Sequence, residues 1–352
     1  MSKDIVSFND TISPDHPIYK PEKGRYWLYI GGGCPYASRA LIARAVKGLN
    51  NIIGVSVTQW MLGDEGWKFL QADPKEMGDN AYKVDGGVRG FKDDTSGPIG
   101  DLPDDSSRLF IDGSFDPNYG VKCVKELYMI SNKNYKGSFS VPILWDLKTK
   151  TIVNNDSGEI IRILNSSFNE FIDPQDAEKN VDLAPKELTK ELDAYNQWLG
   201  PNINYGVYKV GLAKSQSLFE EETITLYKAL DEVENKLKLR YEKLSKEHNS
   251  EKEILKRFYL FVDHITDADI RLFTTMIRFD PVYSYHFTCN YKLIRSDYPF
   301  ISKWLKNLYW NRSGFRETTN FEHIKLFYTR SRKLRNTLSL TPLGPEHDIP
   351  RL

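Results

Sequence analysis

Apolar residues at Ala37, Leu41, Ile42, Ala45, Val46 and Leu49 recur at spacings of three and four, which predicts an amphipathic helix opening at Pro35. Just before it, RYWLYI (Arg25 to Ile30) is aromatic and β-branched and runs into Gly31, Gly32 and Gly33, the pattern of a buried strand and a turn. IIGVSVTQW (Ile52 to Trp60) alternates and predicts a second strand, and VPILWD and TIVN around Lys148-Thr149-Lys150 predict a hairpin. VKCVKELYMI predicts a helix with Val121, Val124, Leu127 and Tyr128 on one side and Cys123 within it. Asp156-Ser157-Gly158-Glu159 then opens a further helix, with Asp156 as N-cap and Glu159 completing a capping box.

From Asn169 to Pro185 the chain is polar, as a linker is. Beyond it the pattern is helical throughout. Leu188, Leu192, Tyr195 and Leu199 share one face, Glu221 to Phe261 reads as two long helices broken at His248 to Glu253, and Thr266-Asp267-Ala268-Asp269 reads as the capped start of a buried helix. Asp73 to Arg108 is rich in Gly and Asp and cannot build a core, which predicts an insertion or lid loop. The expected organisation is an N-terminal extension (1–20), an α/β domain (21–168, with the insertion at about 73–108), an all-helical domain (186–335) and a C-terminal tail (336–352).

Composition narrows the class. Lys plus Arg and Asp plus Glu are 48 each, so no net field favours nucleic acid or an anionic membrane as partner. No apolar run reaches membrane-spanning length, and the first residues lack the apolar core of a secretory signal. Three cysteines, Cys34, Cys123 and Cys289, have no metal-ligand spacing, so no metal is expected, and their sparseness fits a reducing, intracellular compartment.

Cys34 carries the candidate chemistry. It stands between the glycine turn and Pro35, at a helix N-terminus, where unpaired N–H groups and the helix dipole stabilise a thiolate. Strand, turn, Cys-Pro and helix make a thioredoxin-like arrangement. The place of a resolving cysteine is taken by Ala37, so a second thiol has to come from outside, and glutathione is the natural intracellular candidate. A small buried cysteine in a βα turn is the plainer alternative. Pro142, opening the predicted hairpin, is either an edge residue or a cis-proline opposite the cysteine; if cis, Val141 offers its backbone to a peptide-like ligand. Asp156 at its helix N-terminus could also meet a ligand ammonium.

Cys34-Pro35-Tyr36-Ala37-Ser38-Arg39, Gly66-Trp67, VPILWD, TIVNNDSGEIIRILN, GVYKVGLA, ITDADIRL, IRFDPVYSYHF, FEHIKLFYTRS and PLGP occur in this order. Together they resemble the xi-class glutathione transferases, the glutathionyl-hydroquinone reductases, and within them the fungal omega-class-like enzymes associated with peroxisomes. The resemblance implies the glutathione transferase fold, a homodimer, and glutathione as co-substrate. It implies Cys34 as nucleophile, Trp67, Val141, Asp156 and Ser157 as glutathione-binding residues, Pro142 as cis-proline, and Tyr208, Tyr283 and Tyr328 as substrate-binding residues. Substrates would be a glutathionylated quinol or a mixed disulfide. The chain departs from the family at Tyr36 and Ser38, where Trp and His are usual, and at Asp156, where Glu is usual. Alternatives are an omega-like thiol transferase or dehydroascorbate reductase, which needs Cys34 but not the tyrosines, and a non-catalytic binding module. Pro350-Arg351-Leu352 resembles a peroxisomal address with its first position changed, so the expected location is the peroxisome or the cytoplasm.

Overall fold

A computed structural model describes residues 7–71, 113–331 and 340–352. The proposed insertion, Asp73 to Arg108, lies outside the described residues. The chain forms two compact units, the first Met1–Asn180 with Arg316–Phe327, the second Val181–Phe315 with Tyr328–Leu352. The division falls within the polar linker. Arg316–Phe327, inside the stretch assigned from sequence to the helical domain, belongs to the first unit.

The first unit is built on a four-stranded sheet of order β2-β1-β3-β4, with β1 (Tyr26–Gly31), β2 (Gly54–Thr58), β3 (Ile143–Asp146) and β4 (Thr151–Asn154). The β1–β2 pair is parallel, and β1–β3 and β3–β4 are antiparallel. Every residue of β1 is buried, as a continuous apolar run in a sheet covered on both faces requires. Helices α1 (Pro35–Val46), α2 (Val124–Ser131) and α3 (Ser157–Ser166) complete the layer. At the β4 edge, Asn9 bridges to Asn154 and the N–H of Asp10 donates to Val153 O at 3.0 Å, so the N-terminal segment occupies part of an otherwise open sheet edge. Asp146 holds the β3–β4 turn by accepting from Lys148 N and the Thr149 hydroxyl, and it receives Arg25 through two 2.8 Å bonds.

Two local expectations are corrected. Cys123 caps α2 in extended conformation (φ −151°) instead of lying inside the helix, because it is bridged to Lys68. Asp156 does cap α3, accepting from Gly158 N and Glu159 N at 2.8 and 2.9 Å, but the reciprocal arm of the box is relayed. Its own N–H donates to Asn154 Oδ1, and Asn154 Nδ2 donates to Glu159.

The second unit contains α4 (Thr189–Leu199), α5 (Gly206–Leu212), α6 (Gln216–Glu247), α7 (Glu251–Leu255), α8 (Asp267–Arg278), α9 (Ser284–His286), α10 (Ile294–Asp297) and α11 (Pro299–Asn311). The expected pair of long helices is a single 32-residue helix, α6, followed by the five residues of α7. The cause is visible beyond α7, where Phe258, Tyr259 and Leu260 are buried consecutively instead of at helical spacing. The N–H of Leu260 leaves the chain to bond Asp269 Oδ1 at 3.0 Å. Asp269 also completes the capping box of α8, taking the N–H and hydroxyl of Thr266 at 2.9 and 2.8 Å and the indole N–H of Trp304 at 3.0 Å. A last helix, α12 (Phe321–Leu326), belongs to the first unit, with Asn320 as its cap.

Candidate active site

The turn between β1 and α1 is where the first unit concentrates its unusual features. Cys34 is the N-cap of α1, in extended conformation, with Pro35 in the first turn. Its N–H donates to Gly31 O at 3.0 Å, and its carbonyl accepts from the N–H and the hydroxyl of Ser38, both at 3.0 Å. The side chain is therefore free of capping duty and half exposed, whereas Cys123 and Cys289 are buried. Its Sγ lies 3.9 Å from Val141 O, and the Val141–Pro142 peptide is cis. Burial pushes the Cys123 thiol up, the carboxylate of Glu126 adding to the shift, which leaves that residue a structural cap.

None of Gly31, Gly32 and Gly33 has positive φ, so backbone conformation does not require glycine there. Space does. A Cβ on Gly31 would stand 2.5 Å from the Trp67 ring, one on Gly32 would stand 3.1 Å from Nε2 of His323, and one on Gly33 would stand 2.3 Å from Cγ of Phe327. Three rings thus lie on three consecutive glycines. Trp67 and Phe327 are stacked on each other as well, with centroids 5.1 Å apart and planes 13° apart.

Trp67 is half-buried, and its carbonyl is fixed by Val124 N at 2.9 Å. Ser157 is buried in the first turn of α3 and accepts from Arg39 at 3.3 Å, which ties α1 to α3; the Arg39 guanidinium also lies over the Tyr36 ring at 4.5 Å. Asp156 is exposed beside it. The first unit thus brings Cys34 to Val141 and presents Trp67 at the same turn.

The second unit gathers the three tyrosines. Tyr328 hydroxyl lies 2.6 Å from that of Tyr208 and 3.2 Å from that of Tyr283, so Tyr328, on the π-helical turn Phe327–Ser331, is the hub of the cluster. Tyr283 and Tyr328 are fully buried and Tyr208 nearly so. Burial drives the hydroxyls of Tyr283 and Tyr328 well above the usual phenol range, against a smaller downward pull from the Arg278 guanidinium, so both are proton carriers at any physiological pH. Phe287 stacks on Tyr283 and contacts Tyr208.

Sequence reasoning missed His323 and Phe327. The run of three glycines was the signal, since it announces close approach, but nothing in it says which side chains approach. Among the described residues no group of three or more His, Cys, Asp or Glu is placed to hold a metal ion, and no helix is long and apolar enough to cross a membrane.

Comparison with known proteins meets this geometry. Residues 33–167 match the glutathione S-transferase N-terminal domain and residues 216–307 the glutathione S-transferase C-terminal domain. The chain is 48% identical to glutathione S-transferase omega-like 2 of Saccharomyces cerevisiae, over 99% of this chain and 95% of the relative. It is 33% identical to the glutathionyl-hydroquinone reductase YqjG of Escherichia coli, over 93% of this chain and 81% of the relative. The structure of the Xi glutathione transferase ECM4 from Saccharomyces cerevisiae in complex with glutathione superposes with a TM-score of 0.85 at 46% identity, covering 98% of this chain and 99% of that one. With a thioredoxin-like sheet in one unit, helices in the other and relatives matched nearly end to end, the chain belongs to the glutathione transferase family, in its Xi class.

Proposed function

We propose that this protein is a cysteine-type glutathione transferase that removes glutathione from glutathionyl-hydroquinones. The observation that carries the reading is Cys34 as N-cap of α1, half exposed, with Ala37 where a dithiol enzyme keeps its second cysteine. The glutathione-bound Xi structure and the two reductases named for this reaction among the relatives support it.

Cys34, at the helix N-terminus, reacts as its thiolate. It attacks the sulfur of the aryl thioether: an S–S bond forms, the C–S bond breaks, and its electron pair goes to the ring carbon, which takes a proton to give the free hydroquinone. Cys34 is left as a mixed disulfide with glutathione. A second glutathione thiolate attacks the glutathionyl sulfur, expels the Cys34 thiolate and leaves as glutathione disulfide. Over the cycle Cys34 is regenerated: the thioether sulfur and the thiol of the second glutathione are oxidised to the disulfide, and the two electrons reduce the ring carbon. Trp67, Val141, Asp156 and Ser157 would hold glutathione, with Asp156 Oδ1 already engaged in capping and the remaining carboxylate oxygen turned to the ligand ammonium. Tyr208, Tyr283 and Tyr328 suit hydrogen bonding to quinol oxygens and proton delivery to the ring, Tyr283 and Tyr328 being kept protonated by burial.

The second reading is a thiol transferase, which uses Cys34 and glutathione and no tyrosine. Its specific support is the complete burial of Tyr283 and Tyr328, whose hydroxyls are satisfied within the cluster. Turnover of glutathionyl-menadiol with glutathione decides between them. Release of menadiol that needs Cys34 and slows in Tyr283→Phe supports the reductase; reduction of a glutathione mixed disulfide by a protein inert toward glutathionyl-menadiol supports the transferase.

A further inference from the structure

We propose that Phe327 is a positioning residue of the glutathione subsite, acting through two groups it touches: the ring plane of Trp67 and the backbone of Gly33, the residue before Cys34. The inference rests on the glutathione reading above and names what sets the geometry of that site.

Phe327 reaches the first unit from the far end of the sequence, at the close of a segment, Arg316–Phe327, that packs with Met1–Asn180. Its ring is 2% exposed, so it is an internal support and not a ligand-facing surface. One contact is with Gly33, where three ring and Cβ atoms of Phe327 lie 2.3 to 2.5 Å from the position a Cβ would take. The ring is therefore pressed against main chain in the turn that aims the Cys34 thiol. The other contact is the parallel stack on Trp67, whose own ring covers Gly31. Trp67 is only half-buried, and the parallel stack sets the plane of its ring. His323, one helical turn earlier, closes the gap over Gly32 and is fully buried. A core phenylalanine that merely filled volume would have no need of a side-chain-free turn beneath it. Here ring and glycine are matched, and the match is repeated at each residue of the turn.

The test measures glutathione binding by calorimetry and steady-state kinetics on the full chain, for the wild type, Phe327→Leu, Phe327→Ala, Gly33→Ala and the double variant Gly33→Ala/Phe327→Ala. Removing one aromatic stack predicts a loss of glutathione affinity of about three- to tenfold in Phe327→Ala. Phe327→Leu, which keeps apolar volume but not the flat ring, should recover less than half of it. The KM for glutathione should rise by more than kcat falls, a split that general destabilisation does not produce. Gly33→Ala should weaken binding more than Phe327→Ala, and the double variant should bind no more weakly than Phe327→Ala alone, because the clash has lost its second partner. Slow alkylation of Cys123 and Cys289 marks each variant as folded; were Phe327→Ala to unfold, Phe327→Leu and Gly33→Ala carry the same decision. Wild-type affinity in folded Phe327→Leu and Gly33→Ala, or additive losses in the double variant, overturns the proposal. A wild type that binds no glutathione refutes the functional reading instead.

Discussion

Replacing Asp269 by Ala should cost the second unit about 3 kcal/mol or more, a large part of the roughly 5–15 kcal/mol that holds a typical domain together. The carboxylate is fully buried and accepts four hydrogen bonds, from Leu260 N, Thr266 N, the Thr266 hydroxyl and Trp304 Nε1. The hydroxyl can turn to another acceptor. The two backbone N–H groups and the indole are fixed by α8, by the chain after α7 and by α11, and each buried donor left without its acceptor costs roughly 1–3 kcal/mol. Asp269→Asn keeps one acceptor oxygen and should lose about half as much. Urea unfolding followed by far-UV circular dichroism measures both, with the slope checked for constancy so that the midpoint reports stability. A loss under about 1 kcal/mol in Asp269→Ala would refute the view that this carboxylate organises the helical unit.

Two further outcomes are expected. Burial pushes the Asp146 carboxyl up, but the hydrogen bonds from Arg25, Thr149 and Lys148 outweigh it and leave it below the usual carboxylate range. A depressed carboxyl adds stability above the unfolded value of about 3.9 and loses it as pH falls through the folded value, so the stability gap between wild type and Asp146→Asn should be flat at neutral pH and shrink only below about pH 4; a gap unchanged at still lower pH would contradict the pairing with Arg25. Iodoacetamide should modify Cys34 at least roughly tenfold faster than Cys123 or Cys289, which react only through opening of the fold; equal rates, read by peptide mass spectrometry, would remove the argument that Cys34 is the accessible thiol.

What the sequence made legible was local. Cys34 before Pro35 and after a strand located the helix N-terminus, because strand periodicity, proline position and glycine turn are all written within a few residues. Thr266 and Asp269 announced the α8 cap for the same reason. The site's depth was not legible. Trp67, His323 and Phe327 converge on Gly31, Gly32 and Gly33 from distant parts of the chain, and no periodicity encodes that convergence. Tyr328 was seen as a third tyrosine, and its place at the centre of the hydroxyl cluster emerged only from packing. The expected second long helix after α6 failed where consecutive burial of Phe258, Tyr259 and Leu260 overrode a charge-rich, helix-like composition.

The central claim is that Cys34 takes glutathione from a carbon and carries it as a mixed disulfide. The direct test is a single turnover: protein mixed with glutathionyl-menadiol in the absence of free glutathione, with released menadiol and the intact protein mass followed together. The account predicts one menadiol released per chain and one glutathionyl group gained, mapped to Cys34 and absent in Cys34→Ser. Menadiol release without a protein adduct, or an adduct that persists in Cys34→Ser, would contradict it.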